Sequence, residues 1–318
     1  MKFLLNELSV EGQFSSFNDF ANAVENLMRI RNVIRSAGRE LLCSRSLIHA
    51  KVTPTQFMAQ AIQAMPREKR LAWTQWITQS GPYWLDDREH SDDTWMQLSD
   101  GRIVTSTAIG EAAFCTSSFI VRLLISTDLP EWQIDPLEIH WIKADDVSEI
   151  VHVRNHWTTA SVEQSISLLP PPFDSWQTLG EFSKRTCAFL HFSEDAFESL
   201  RPHPFHQGAA DRLLIRLNVL NRISGGFASD GERTKECNDL LAMHFSGTKA
   251  WFTDSSPSEK NEFARELSFK HPTMTGERID CTWHGKVKTP QLRIHFSWPM
   301  VADAQIYVPY VGPKLTKR

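Results

Sequence analysis

Cys281-Thr-Trp-His-Gly-Lys-Val287 and, five residues further on, Leu292-Arg-Ile-His-Phe296 are the two runs on which the reading of this chain turns. On an unbulged strand, side chains two apart share a face. Cys281, Trp283, Gly285 and Val287 therefore take one side of the first run. His284 and Lys286 take the other, with Lys288 beyond them. In the second run Leu292, Ile294 and Phe296 oppose Arg293 and His295. Thr289-Pro290 is the turn signal between the runs, so they pair as antiparallel neighbours. The apolar set then packs on helical material, and the His/Lys/Arg set forms one wet, open surface.

Working outward, residues 305–311 add a third strand, after a connection through Pro299 to Asp303. Upstream, Ala250-Trp-Phe-Thr253 reads as a strand. Ser255-Ser-Pro-Ser-Glu259 is a helix entry, with serines to cap, a proline near the first turn and an acid to meet the helix dipole. That helix is predicted to run to about Phe269 and to stop before His271-Pro272. Residues 249–318 thus form a strand-helix-three-strand module.

The rest of the chain reads as mostly helical. Apolar residues recur at helical spacing over 17–35, and Thr53-Pro54 opens a helix through Ala64. Residues 67–78 form another helix, anchored by Leu71, Trp73, Trp76 and Ile77. Residues 107–126 read as one buried helix. From Pro136 the period changes, giving strands at 137–142 and 150–154 joined through Asp145-Asp146. Pro170-Pro-Pro172 marks a linker, since consecutive prolines continue neither a helix nor a central strand. Helices follow at 175–189, 193–200, 210–223 and 232–243. The expected class is α+β: a helical N-terminal body with a few strands (1–170), a helical middle (171–248), then the C-terminal helix and small antiparallel sheet (249–318).

At 318 residues, with 41% hydrophobic and 23% charged residues, the chain is a globular protein of about two domains. Its net charge of −4 excludes a basic nucleic-acid binder acting through its whole surface. The charge is unevenly spread, however. From Cys281 onward the basic residues are Lys286, Lys288, Arg293, Lys314, Lys317 and Arg318, against the single acid Asp303. Such a local positive field suits a polyanion, and its binding would weaken with salt. The plainer explanation is a solvated sheet whose lysines discourage edge pairing. Five scattered cysteines argue against a disulfide framework and a zinc ribbon. An acidic residue early in the sequence and the lack of a long apolar run point to a cytoplasmic protein with no membrane span.

Two imidazoles beside fixed cations suit metal-independent RNA cleavage. That reaction needs a base near the 2′-hydroxyl, an acid near the leaving oxygen and cations on the phosphate. The candidate catalytic residues are His284, Lys286, Arg293 and His295. Lys288, Lys314, Lys317 and Arg318 would hold the nucleic acid, RNA rather than DNA. No metal or cofactor is expected. Histidine suits proton transfer near neutrality, and arginine and lysine suit the phosphate.

The residues Leu292-Arg-Ile-His-Phe296, Ile306-Tyr-Val-Pro-Tyr310 and Lys314-Leu-Thr-Lys-Arg318 give this module a likeness to another group of proteins. It resembles the bacterial messenger-RNA interferase toxins of the RelE/HigB type. The likeness covers about the last fifth of the chain. It implies that Arg293 and Lys314 stabilise the cleaved phosphate and that His284 or His295 moves the proton. The chain departs from that pattern in having a single helix, and in Pro309 and Pro313, which interrupt the last strand. Asn6-Glu-Leu-Ser-Val-Glu-Gly-Gln-Phe14 and Tyr310-Val-Gly-Pro-Lys-Leu-Thr316 are similar to uncharacterised bacterial proteins of phage-defence and toxin loci. This likeness implies a toxin or defence effector with a partner protein from its operon.

Other constellations carry less. Asp254, Glu259 and Asp280 with Lys286 would make a metal-dependent nuclease core, but His284 stands where such cores place an acid. Asp86, Asp87, Glu89, His90, Asp92 and Asp93 form an acidic loop. Glu111 suits a helix start, and Arg201-Pro-His-Pro-Phe-His206 reads as a loop. No phosphate-binding loop or dinucleotide fingerprint is present. The leading expectation is a ribonuclease. The alternative is a non-catalytic nucleic-acid-binding or scaffold subunit of a multi-protein defence complex.

Overall fold

The computed structural model describes residues 2–12, 14–90, 95–117, 121–142, 148–169, 172–227, 231–247, 250–288, 290–299 and 306–316. The fold is α+β, as the sequence implies. The chain forms two compact units, Met1–Pro171 and Pro172–Arg318, which meet inside the proline run. The helical middle and the strand module both fall within the second unit.

In the first unit the order is β1 (Lys2–Leu5), α1 (Phe17–Ser36), β2 (Leu41–Leu42), α2 (Met58–Gln63), α3 (Arg67–Thr74), β3 (Trp95–Leu98) and α4 (Ala108–Ser117). Then come β4 (Arg122–Ile125), β5 (Leu137–Ile142), β6 (Ser148–Val153), β7 (Asn155–His156) and α5 (Thr159–Ser167). Four strands pair in parallel in the order β2-β1-β4-β7. Phe3, Leu4, Leu5 and Leu123 to Ile125 are buried, the near-continuous apolar runs of strands covered on both faces. The side chain of Ser16 accepts the N–H of Asp19 to start α1, whose Phe20, Val24, Leu27, Ile30 and Ile34 form the buried stripe. A second, antiparallel sheet pairs β3, β5 and β6. Its inner face holds Met96, Leu98, Ile139, Val151 and Val153.

The single helix expected over 107–126 does not form. Helix α4 ends at Ser117, and Arg122–Ile125 becomes β4, beside β1. A short run that is apolar on all sides has no period to separate a buried helix from a buried strand. Here β1 presents a ladder edge, and pairing with it satisfies the backbone groups of 122–125.

The second unit contains α6 (Trp176–Thr186), β8 (Leu190–Phe192), α7 (Gln207–Ser224), α8 (Lys235–Phe245), β9 (Phe252–Asp254) and α9 (Pro257–Glu262). It continues with β10 (Ser268–Lys270), β11 (Arg278–Asp280), β12 (Trp283–Val287), β13 (Leu292–Phe296), β14 (Ile306–Val308) and β15 (Tyr310–Pro313). The main sheet is antiparallel in the order β15-β13-β12-β9. Its apolar face and the helices bury each other. Phe245 of α8 lies 4.8 Å from Phe252, 5.7 Å from Trp283 and 4.7 Å from Trp298, ring to ring. Neither the sheet nor the helices would be dry alone.

Three local expectations change. Only a 3-10 turn, Glu198–Leu200, forms within 193–200. Helix α9 is six residues long; of the segment predicted to extend it, 263–267 forms turns, and Ser268 and Phe269 open the β10–β11 hairpin. The third strand splits at Pro309, which has no N–H to continue a ladder. Before it β14 pairs in parallel with β8; after it β15 pairs with β13.

Candidate nucleic-acid interface

Strands β12 and β13 pair in the expected register: His284 stands opposite His295, and Lys286 opposite Arg293. Gly312 of β15 continues the Lys286–Arg293 row, and Tyr310 continues the row of histidines. The alternation therefore brings His284, Lys286, Arg293 and His295 to one face, but this face is not uniformly open.

The histidine row is sealed. His284 is 8% and His295 2% exposed, and their rings lie 5.5 Å apart. Phe269 of β10 packs against His295 at 5.7 Å and Tyr310 at 5.9 Å. The Nδ1 of His295 lies 2.9 Å from the Cys281 carbonyl, an acceptor, so it carries the proton and donates it there. Burial, then the neighbouring His295 and Arg293 charges, push the His284 pKa down to about 3. Burial likewise brings His295 down to about 4, against the Cys281 hydrogen bond, which raises it. Both imidazoles are neutral near pH 7. The expectation of two open histidines is corrected here: both are buried, and Phe269, expected to end α9, lies instead on the β10–β11 hairpin and packs on His295 and Tyr310.

The cation row is wetter. Lys286, Arg293 and Lys314 are half-buried and Lys288 is exposed. Arg293 Nη1 donates to the Leu292 carbonyl at 2.9 Å, which steers the guanidinium along the β12–β13 turn. Burial, followed by the charges of Arg293, Lys288 and Lys314, holds the Lys286 ammonium below its usual range; Glu259 acts in the opposite sense. The cations therefore lie close enough to disfavour one another, and a bound anion would relieve that repulsion. Lys317 and Arg318 lie outside the described residues.

Asp254 and Glu259 are engaged elsewhere. Asp254 accepts from Lys260 at 2.5 Å and from the Thr282 hydroxyl at 2.7 Å. Glu259 accepts from the Thr316 hydroxyl at 2.9 Å, lies 3.4 Å from the Lys314 ammonium, and accepts the Ser256 N–H in a capping box. Among the described residues no three His, Cys, Asp or Glu side chains are grouped to hold a metal ion. In the acidic loop Asp86 pairs with Arg45 at 2.9 Å, while Asp92 and Asp93 lie outside the described residues. His206 caps α7 by accepting the Ala209 N–H.

The sequence reading missed a buried polar network in the first unit. Glu7, just after β1, accepts the N–H of Ala108 at the start of α4. Burial raises its pKa to about 7, against the lowering effect of backbone hydrogen bonds. Glu111, one turn on, accepts from His90 Nδ1 at 2.6 Å, from the Glu89 N–H at 3.2 Å and from the Cys115 thiol at 3.3 Å. Strand order reverses between β1 and β4, where open parallel sheets take ligands. Here Asn6 donates to Ser126 and Ser126 to Asn155, so the chain's own side chains fill that place. An acid ending an apolar strand was the available signal, but its partners lie about a hundred residues away.

Comparison with protein-family models, curated proteins and solved structures finds no match. Among the described residues, no helix is long and apolar enough to cross a membrane.

Proposed function

We propose that the second unit binds the phosphate backbone of RNA through the strip formed by Lys286, Lys288, Arg293 and Lys314. The observation that carries the reading is the directly opposed Lys286–Arg293 pair on β12 and β13, with Lys314 near enough to act on Lys286. Single strands fit a shallow face of this kind, and the affinity would come from charge. The likeness to toxin and defence-locus proteins suggests an effector or a subunit of a defence complex in a bacterial cell.

Cleavage by the same surface is the second reading. It is favoured by the adjacency of the histidine row to the cation row. It also requires the β10–β11 hairpin to lift, because buried neutral imidazoles, His295 among them packed under Phe269, cannot reach a 2′-hydroxyl.

A labelled single-stranded RNA, titrated with the full chain, tests the binding reading. Lys286→Glu is expected to weaken binding about tenfold at ~50 mM salt, and each lost phosphate contact to flatten the log–log salt slope by about 0.7. Binding unaffected by both salt and this substitution would sink the proposal. End-group analysis of the same RNA separates the readings: 2′,3′-cyclic ends lost in His284→Ala indicate cleavage, and intact RNA indicates a carrier.

A further inference from the structure

We propose that Glu259 is an internal occupant of the phosphate site, and that a phosphodiester group of bound RNA displaces its carboxylate from Lys314 and Thr316. The inference rests on the RNA-binding reading and names what the strip must give up in order to bind.

The argument starts from the chemistry of the groups around Glu259. Its Oε1 accepts from the Thr316 hydroxyl at 2.9 Å and faces the Lys314 ammonium at 3.4 Å. A hydroxyl and an ammonium converging on one oxygen are also what a phosphate oxygen requires. Burial would raise the pKa of this carboxyl, but hydrogen bonds from Thr316, Ser256 and Lys314 and the Lys314 charge outweigh it and bring it down to about 2. Glu259 is therefore an anion throughout the physiological range. Its charge also reaches Lys286 and Arg293, raising the pKa of each. The carboxylate thus neutralises part of the strip that phosphate would otherwise neutralise.

The hold on Glu259 is the kind that a competitor can replace. The carboxylate and the Lys314 side chain are both more than a quarter exposed, and an ion pair at that exposure is weak and screened by salt. Oε2 accepts from the Ser256 N–H and hydroxyl, bonds local to the start of α9 that need not break when Oε1 is displaced. A phosphodiester likewise spreads one negative charge over two non-bridging oxygens, so it can take the Thr316 and Lys314 donors in place of Oε1, where an anion acts on Lys286 and Arg293.

The test compares the wild type, Glu259→Gln and Thr316→Val as full-length chains. Each binds a fluorescein-labelled single-stranded RNA of about 20 nucleotides, measured by anisotropy at ~50 and ~200 mM salt. Glutamine still accepts the Ser256 N–H, so the substitution removes charge without removing the cap. The expected result is about 3- to 10-fold tighter binding by Glu259→Gln, with a salt slope steeper by about one phosphate contact. Thr316→Val takes the hydroxyl from the carboxylate and from the incoming phosphate alike, so its effects oppose and affinity should stay within about twofold of wild type, without the gain of Glu259→Gln. If wild type binds with a clear salt dependence and Glu259→Gln binds no tighter, the displacement idea is overturned and the binding reading stands. If neither binds RNA, the binding reading itself fails and this inference fails with it.

Discussion

Acid is expected to unfold the 172–318 unit as the pH falls from 6.5 toward 4. His244, His284 and His295 are 1%, 8% and 2% exposed. Their pKa values are pushed by burial from 6.5 to about 3, about 3 and about 4. A depressed pKa means that the folded form refuses a proton that the unfolded chain accepts. The stability these groups contribute is complete above pH 6.5 and is lost as the pH falls toward 4. Each accounts for about 3 kcal/mol at pH 4, so together they rival the whole stability of an ordinary domain. Because His284 and His295 interact, the sum is an upper bound. His244→Phe is the informative variant. Its ring stacks on Trp251 at 3.9 Å, and its buried Nε2 has no hydrogen-bond partner among the described residues. Phenylalanine should keep the stack and shift the acid midpoint to lower pH with little change at pH 8. Near-ultraviolet circular dichroism against pH reads this directly. Superimposed acid curves for wild type and variant would remove His244 from the explanation.

Gly110→Ala is expected to destabilise the first unit by about 3 kcal/mol, at the top of the usual range for overpacking. A β-carbon at this position would lie 2.4 Å from the Val104 carbonyl oxygen and 2.7 Å from that of Thr105. Both are backbone atoms, so no side chain can rotate away. To admit the methyl, α4 must slide, and α4 carries Glu111 and receives Glu7 at its first N–H. The melting temperature should fall by roughly 6–12 °C for a unit of this size. Hydrogen exchange should localise the loss to α4 and the 84–90 segment. Protection unchanged there would show that the backbone adjusts without cost.

Much of the site's geometry was legible because strand alternation is a local property. The spacing of His284, Lys286, Arg293 and His295 predicts a shared face, and the register places them opposite one another. The openness of that face was not legible, because it depends on Phe269, and Phe269 lies on a hairpin where a longer helix was the natural expectation. Parity says which side of a sheet a residue takes and nothing about what covers that side.

The same division runs through the fold. Local chemistry determined where α1, α7 and α9 begin, since a cap is a hydrogen bond within three residues: Ser16 to Asp19, His206 to Ala209, Ser256 to Glu259. It also determined the split at Pro309, which lacks the donor a ladder needs. Tertiary structure alone decided that Arg122–Ile125 is a strand, because its hydrogen-bond partners are on β1, more than a hundred residues earlier. It alone placed Glu7 at the start of α4 and Glu259 beside Lys314 and Thr316. Caps and alternation are written in neighbouring residues. Burial, and the charge states it imposes on His284, His295 and Glu7, arises only when distant segments close over one another.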